Sequence, residues 1–265
     1  WQMFDAGVAS QTFALACHEN GLGSVIMGIF DRSEALLGAD ALQTLKSSHV
    51  AVFGVGGVGG FVTEALARAG VGRLTLIDSD RVAVSNINRQ IIATHDTIGM
   101  MKAKVMEERL HSINPECKIN TIAEFIRDDR MIEILKDQNY DYVVDAIDTL
   151  SPKVFLIYHC VQMGLKLVSS MGSAGKYDPS LVQISDVSKS HTCPLAYLVR
   201  KRLSRLGVKT GFKVVYSSER IPEDAMIEDP STNKRTTIGC ISYMPPIFGC
   251  VCASVVIRDL LRSEV

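Results

Sequence analysis

The chain has 265 residues, 47% of them apolar, enough to bury a sizeable core in one large or two small domains. Its formal net charge of −1 excludes a globally basic nucleic-acid binder, though not a local basic face. Seven cysteines at irregular spacing, with no CxxC pair, argue against a disulfide framework and a structural zinc site, and predict reduced thiols.

No signal peptide is found, and the charge-free run 236–257 is markedly apolar only over 241–257, so the expectation is a cytoplasmic protein with no membrane partner. The chain opens on Trp1 rather than Met, as a stretch from within a longer chain would. Residues 5–30, DAGVASQTFALACHENGLGSVIMGIF, predict an amphipathic helix and an apolar strand. From Val50 a repeating pattern of strand, turn and helix sets in. HVAVFGV reads as a buried strand, GFVTEALARAG as a helix closed by Gly70, and RLTLIDSD as the next strand. KAKVMEERLHSIN has helical spacing and stops before Pro115. KINTIAEFI and YDYVVDAID are further strands, separated by the helix RDDRMIEILKDQN. A strand, a glycine-rich loop and another strand follow over 165–186, then CPLAYLVRKRLSRLG as a helix apolar on one side and basic on the other. Ser217 to Thr237 is polar and predicts a mobile loop, and PPIFGCVCASVVIRDLLRS closes the chain as a helix. The alternation predicts an α/β fold with a doubly wound, mostly parallel, Rossmann-like sheet.

Gly54, Gly56 and Gly59 form GxGxxG between a strand and a helix, and Asp78 ends the next strand where it can meet a ribose hydroxyl. Glycine lets the backbone approach phosphate, and the helix N-terminus supplies amide donors; both serve NAD as well as ATP. The segment SNINRQ (Ser85, Asn86, Arg89 and Gln90 among it) and Lys102 favour a triphosphate, because charge developing during its cleavage needs fixed cations that hydride transfer does not. DAIDT places Asp145 and Asp148 at the carboxyl end of a strand, where one carboxylate suits Mg²⁺ on phosphate oxygens. Each of these charges alone reads as a solvated surface group; together in one crevice they do not.

GVGGVGG, LTLIDSD, SNINRQ, GMMKAKVMEERLHSINPEC and DAID resemble the ATP-binding half of the ubiquitin-activating-enzyme-like, ThiF-type family, which adenylates carboxylates. The resemblance runs from about Arg32 to the C-terminus and is most specific to the branch that dehydrates threonylcarbamoyladenosine in tRNA; HTCPLAYLVRKRLSRLGVKTGFKVVYSSE is similar to that branch, and the paired CxxC motifs of carrier-activating members are absent. It implies that Gly54, Gly56, Gly57 and Gly59 line the phosphate loop and that Asp78 holds the ribose. It further implies that Ser85, Asn86, Arg89, Gln90 and Lys102 meet the triphosphate, with Asp148 serving Mg²⁺ and adenylation. Arg32, in DRSEALLG, would reach the partner subunit's ATP, which implies a homodimer. The implied reaction turns the threonine carboxylate into an acyl-adenylate; the neighbouring carbamoyl group then closes a ring, with net loss of water. The enzyme's task is to orient the adenylate and exclude solvent.

A tRNA partner requires a phosphate-binding face, for which Arg200, Lys201, Arg202, Arg205, Lys209 and Lys213 are the candidates, with Tyr197 and Phe212 as stacking aromatics. Without the resemblance, a basic helix face reads as merely solvated. Cys240 is a candidate nucleophile and Cys193, before a proline at a helix start, a second, with His191 as a nearby base; a buried structural thiol is the commoner role. Residues 5–30 resemble the central helix and following strand of FMN-dependent nitroreductases, through DAG, ASQ and GLGS. Too little of that fold is present for flavin binding to be expected. The chain therefore divides into residues 1–30, a foreign segment, and 31–265, the adenylating domain. Two alternatives stay open: adenylation of the C-terminus of a small sulfur-carrier or ubiquitin-like protein, with sulfur-transfer proteins as partners, or an inactive nucleotide-binding scaffold.

Overall fold

The computed structural model describes residues 9, 12, 15–20, 28–126, 128–228 and 236–262. Two short helices, α1 (Asp31–Leu37) and α2 (Ala39–Ser47), precede β1 (His49–Phe53), α3 (Gly59–Ala69) and β2 (Arg73–Ile77). After a long loop come α4 (Lys102–Ile113), β3 (Lys118–Ile122), α5 (Asp128–Asp137), β4 (Tyr142–Asp145), α6 (Leu150–Gln162) and β5 (Leu167–Ser170). The last third holds β6 (Val182–Asp186), α7 (Pro194–Arg205), β7 (Lys213–Ser217), β8 (Met226–Glu228), β9 (Thr236–Ile238) and α8 (Met244–Leu261).

Seven strands form one sheet in the order β3-β2-β1-β4-β5-β7-β6, parallel throughout except for the antiparallel pair β6–β7. Central strands β1, β4 and β5 are buried at every position, while the edge strands β3 and β6 are not. Helices cover both faces, which is why the central strands read as unbroken apolar runs. Val50 and Val52 point to a core shared with α3, α4 and α8, whereas Ala51 and Phe53 point to one shared with α5, α6 and α7. The strand order reverses between β1 and β4, so a crevice opens beyond their carboxyl ends, the place where open α/β sheets take ligands.

Three elements differ from expectation. Helix α6 carries Pro152 in its first turn, where the missing N–H costs no helical bond; the proline hides the helix from a sequence reading. Strand β7 is only five residues long and lies in a stretch otherwise notable for charge. Within the polar stretch after Ser217, β8 and β9 pair as an antiparallel ribbon rather than forming a loop throughout. Helix α8 is apolar enough, by length and composition, to cross a membrane, but half of it is buried and it packs along α3 and the sheet as a core helix. Of the N-terminal segment, residues 15–19 are helical; the expected strand falls largely on residues outside those described, and its end at 28–30 is a turn rather than a strand. Phe30, its last residue, lies over Gly70 at the end of α3.

Candidate functional site

The loop from β1 to α3 is shaped by what its glycines touch. Gly54 has φ +90°, and a Cβ there would stand 2.7 Å from the carbonyl oxygen of Ala146, just beyond β4. At Gly59 a Cβ would run into the Gly54 carbonyl, so the loop can turn into the helix only with glycine at both places. Gly57 lies under α8, where a Cβ would meet Pro245 at 3.0 Å. Gly56 is different: a Cβ would make only ordinary contact, at 3.5 Å, with the Gln90 amide.

Asp78, the first residue after β2, fastens this loop. Its carboxylate accepts from Val55 N (2.7 Å) and from Asp80 N (2.8 Å). Burial pushes the Asp78 carboxyl up, against the opposing pull of those amides and of Lys102. Lys102 opens α4 with its side chain 7% exposed, and its ammonium is paired at 2.8 Å with Asp80, which is 68% exposed.

SNINRQ wraps the outside of the loop. Asn86 is buried and uses Oδ1 to accept from Ala83 N at 3.0 Å. Arg89 donates to Ser85 O (2.7 Å) and to Asn88 Oδ1 (2.9 Å), so its guanidinium is curled onto its own segment. Gln90 is buried beside Gly56, and its Oε1 has no hydrogen-bond partner among the described residues.

The two carboxylates of DAIDT separate. Asp145 is fully buried and holds Lys153 Nζ (2.8 Å), Ser169 Oγ (2.5 Å) and Ile147 N (3.1 Å), all internal to the fold. Asp148 is exposed on the loop leading to α6. Arg32 is exposed on α1, a helix with no buried residue and with Leu36 83% exposed.

The two candidate cysteines sit in different surroundings. Burial pushes the Cys240 thiol up, and the nearby Arg89 offsets this only in part. The backbone carbonyl of Cys240 accepts from Asn88 Nδ2 at 3.0 Å. Cys193 is 2% exposed, and its sulfur lies near Gly172 in the loop after β5. His191 is exposed and paired with Thr192 Oγ1 at 3.0 Å.

The six basic candidates split as well. Lys201, Arg202, Arg205 and Lys209 are exposed on α7 and just after it. Arg202 donates to Ser151 Oγ (2.9 Å), three residues past Asp148, which sets this part of α7 beside the crevice edge. Arg200 turns inward onto Ser190 Oγ (2.5 Å). Lys213 begins β7 at the opposite edge of the sheet and pairs with Asp259 at 2.5 Å. Of the two aromatics, Tyr197 is 55% exposed with Lys201 Nζ 6.0 Å from its ring centre, while Phe212 is a core residue.

Sequence reasoning missed three contributors. Lys153 sits eight residues past Asp145 inside an apolar run, a position that would have signalled a buried partner. Lys176 is 3% exposed and donates to the carbonyl of Glu219. Pro245 roofs the phosphate loop, a contact no spacing rule predicts.

The ThiF family profile matches residues 30–264. The tRNA threonylcarbamoyladenosine dehydratase of Bacillus subtilis is 41% identical over 242 residues, spanning 88% of this chain and 95% of the relative. That of Escherichia coli is 42% identical over 199 residues, 72% of this chain and 74% of the relative. The crystal structure of the Escherichia coli enzyme in complex with ATP superposes with a TM-score of 0.80 at 35% identity, covering 91% of this chain and 98% of that one. The chain belongs to the ThiF family, whose tRNA threonylcarbamoyladenosine dehydratase members it resembles over most of its length.

Proposed function

We propose that this protein uses ATP to dehydrate N6-threonylcarbamoyladenosine in tRNA to its cyclic form. The threonine carboxylate attacks the α-phosphorus of ATP and releases pyrophosphate. The carbamoyl group then attacks the acyl carbon and expels AMP, and the proton lost on ring closure passes to solvent. The observation that carries the reading is the glycine loop held by Asp78 at the switch point of the sheet, with Lys102 and Arg89 beside it. Resemblance to dehydratases along nearly the whole chain supports the substrate, and the ATP complex of the Escherichia coli enzyme supports the nucleotide.

On this reading the loop amides at Gly54, Gly56, Gly57 and Gly59 cradle the phosphates. Gly56 supports it, because the protein itself leaves room there and close approach of a ligand remains the reason for glycine. Asp78 keeps lone pairs for the ribose. Ser85, Asn86, Arg89, Gln90 and Lys102 face the triphosphate. Mg²⁺ fits Asp148, since this ion is commonly held by one carboxylate together with substrate phosphates; when bound it neutralises charge on the phosphate oxygens. Arg32, exposed on α1, a helix with no buried residue, suits a role toward the ATP of a second copy in a homodimer. Lys201, Arg202, Arg205 and Lys209 form the face for tRNA phosphates. Residues 1–30 are a segment separate from the adenylating domain, supported by the start of the family match at residue 30.

The test is incubation with ATP, Mg²⁺ and tRNA carrying the modified nucleoside, followed by digestion and mass spectrometry. ATP-dependent loss of one water, with AMP formed, is expected. ATP binding without water loss overturns the reading in favour of a carrier-protein substrate or a scaffold.

A further inference from the structure

The rim of the crevice beyond the phosphate loop carries aromatic rings that adenylation itself does not use. Tyr243 precedes α8, two residues before the Pro245 that lies against Gly57. Its hydroxyl donates to Tyr177 O at 2.7 Å, joining the start of α8 to the loop after β5. Tyr177 is 66% exposed, Tyr243 38% and the neighbouring Ile241 42%. Large apolar groups clustered in the open beside a polar site mark a place where something docks. The same rim is held to SNINRQ through the bond from Asn88 to the Cys240 carbonyl.

Resting on the function proposed above, the chemistry constrains what docks here. The reacting carboxylate hangs from an adenine in a tRNA loop, and it has to reach the α-phosphorus over the glycine loop. That adenine must leave its stack and be held on the rim. Unpaired bases are held by stacking on aromatic side chains, with cations tracking the backbone. Exposed cations stand on the nearby α7, which Arg202 ties to Ser151 beside the crevice edge.

We propose that Tyr177 and Tyr243 form the stacking platform for the extruded modified adenine, with the bond between them fixing the platform over the phosphate loop. Charge plays no part in this contact, so it sets the acceptor's position without adding to the salt dependence of binding.

The test compares wild-type protein with Tyr177→Ala, Tyr243→Ala, Tyr177→Phe and Tyr243→Phe. A fluorescent stem-loop RNA bearing the modified adenosine is followed by anisotropy, and KM is measured for RNA and for ATP. The alanine variants are expected to bind RNA roughly tenfold more weakly and to raise KM for RNA by a similar factor, with KM for ATP and the salt slope unchanged. Tyr177→Phe keeps both the ring and the bond and should stay near wild type in RNA affinity, whereas Tyr243→Phe keeps the ring but loses the bond and should fall between wild type and its alanine variant. Alanine variants with wild-type RNA affinity, or phenylalanine variants as weak as alanine ones, overturn the platform. Failure of wild-type protein to dehydrate the RNA overturns the function instead, and anisotropy reads the platform independently of that result.

Discussion

Asp145 and Lys153 form an ion pair 2.8 Å long with neither side chain exposed, at the point where β4 leaves the sheet. Ser169 and the amide of Ile147 complete the carboxylate's partners, and Lys153 also donates to Ile147 O, so the pair fixes the loop that carries Asp148. Removing one partner strands the other charge in the core. Lys153→Met should therefore cost roughly 3–5 kcal/mol of stability, measured by denaturant unfolding. A loss below 1 kcal/mol would show that Asp145 finds another way to be neutralised.

Asp148 lies on that loop but in solvent. Asp148→Ala is expected to leave the unfolding midpoint nearly unchanged, within about 0.5 kcal/mol, while abolishing AMP formation. Retained turnover would remove this carboxylate from the mechanism.

The glycines of the phosphate loop should fall into two classes. Gly54→Ala forces a Cβ to within 2.7 Å of the Ala146 oxygen at a positive φ, and should destabilise the fold. Gly56→Ala fits the protein and should fold normally, yet weaken ATP binding by crowding the phosphates. Calorimetric titration of ATP beside thermal melting separates the two; equal ATP affinity for Gly56→Ala and wild type would place the phosphates elsewhere.

His49, at the amino end of β1, gives the fold a pH dependence. Burial and the neighbouring Arg73 lower its pKa to about 4, while Asp141 and the backbone of Asn139 oppose them. Its Nε2 is 2.8 Å from Thr75 Oγ1. The fold thus prefers the neutral ring. Above pH ~6.5 both states are neutral and the contribution is fully present; as pH falls toward 4 the unfolded chain takes up a proton that the folded one refuses. Up to about 3 kcal/mol should be lost across that window. His49→Gln should flatten this part of the stability profile, and an unchanged slope would assign the titration to another group.

Charge reversal should separate the two groups of basic residues. Lys201→Glu with Arg205→Glu is expected to weaken tRNA binding and to reduce its salt slope by about one for each lost phosphate contact, leaving ATP binding alone. Lys213→Glu should instead lower stability, because it sets two carboxylates against each other at Asp259. If Lys213→Glu alone changed the salt slope, the RNA would lie across the opposite edge of the sheet.

The motifs bound to backbone geometry were legible in the sequence. GxGxxG, Asp78 and the start of α4 at Lys102 follow from the need to turn a buried strand into a helix, and they sit where their spacing puts them. Residue types alone did not reveal which charges the fold keeps for itself. Asp145 and Asp148 are three residues apart and chemically alike, yet a lysine eight residues on decides which one is buried. Lys213 looked like part of a basic face until Asp259, 46 residues away, claimed it. The aromatic rim was invisible for the same reason: Tyr177 and Tyr243 are 66 residues apart and meet only through the fold.

Helix α8, 18 residues long, spans about 27 Å at 1.5 Å per residue. Near its end Asp259 accepts from Tyr142 (2.8 Å) and from Lys213; at its start Pro245 abuts Gly57 and Tyr243 reaches Tyr177. The helix is pinned along its axis at both ends, like a rod seated in two sockets. The height of the ceiling over the phosphate loop is thereby set in part at the far side of the sheet, and a change as distant as Tyr142→Phe can alter the gap into which the nucleotide must slide.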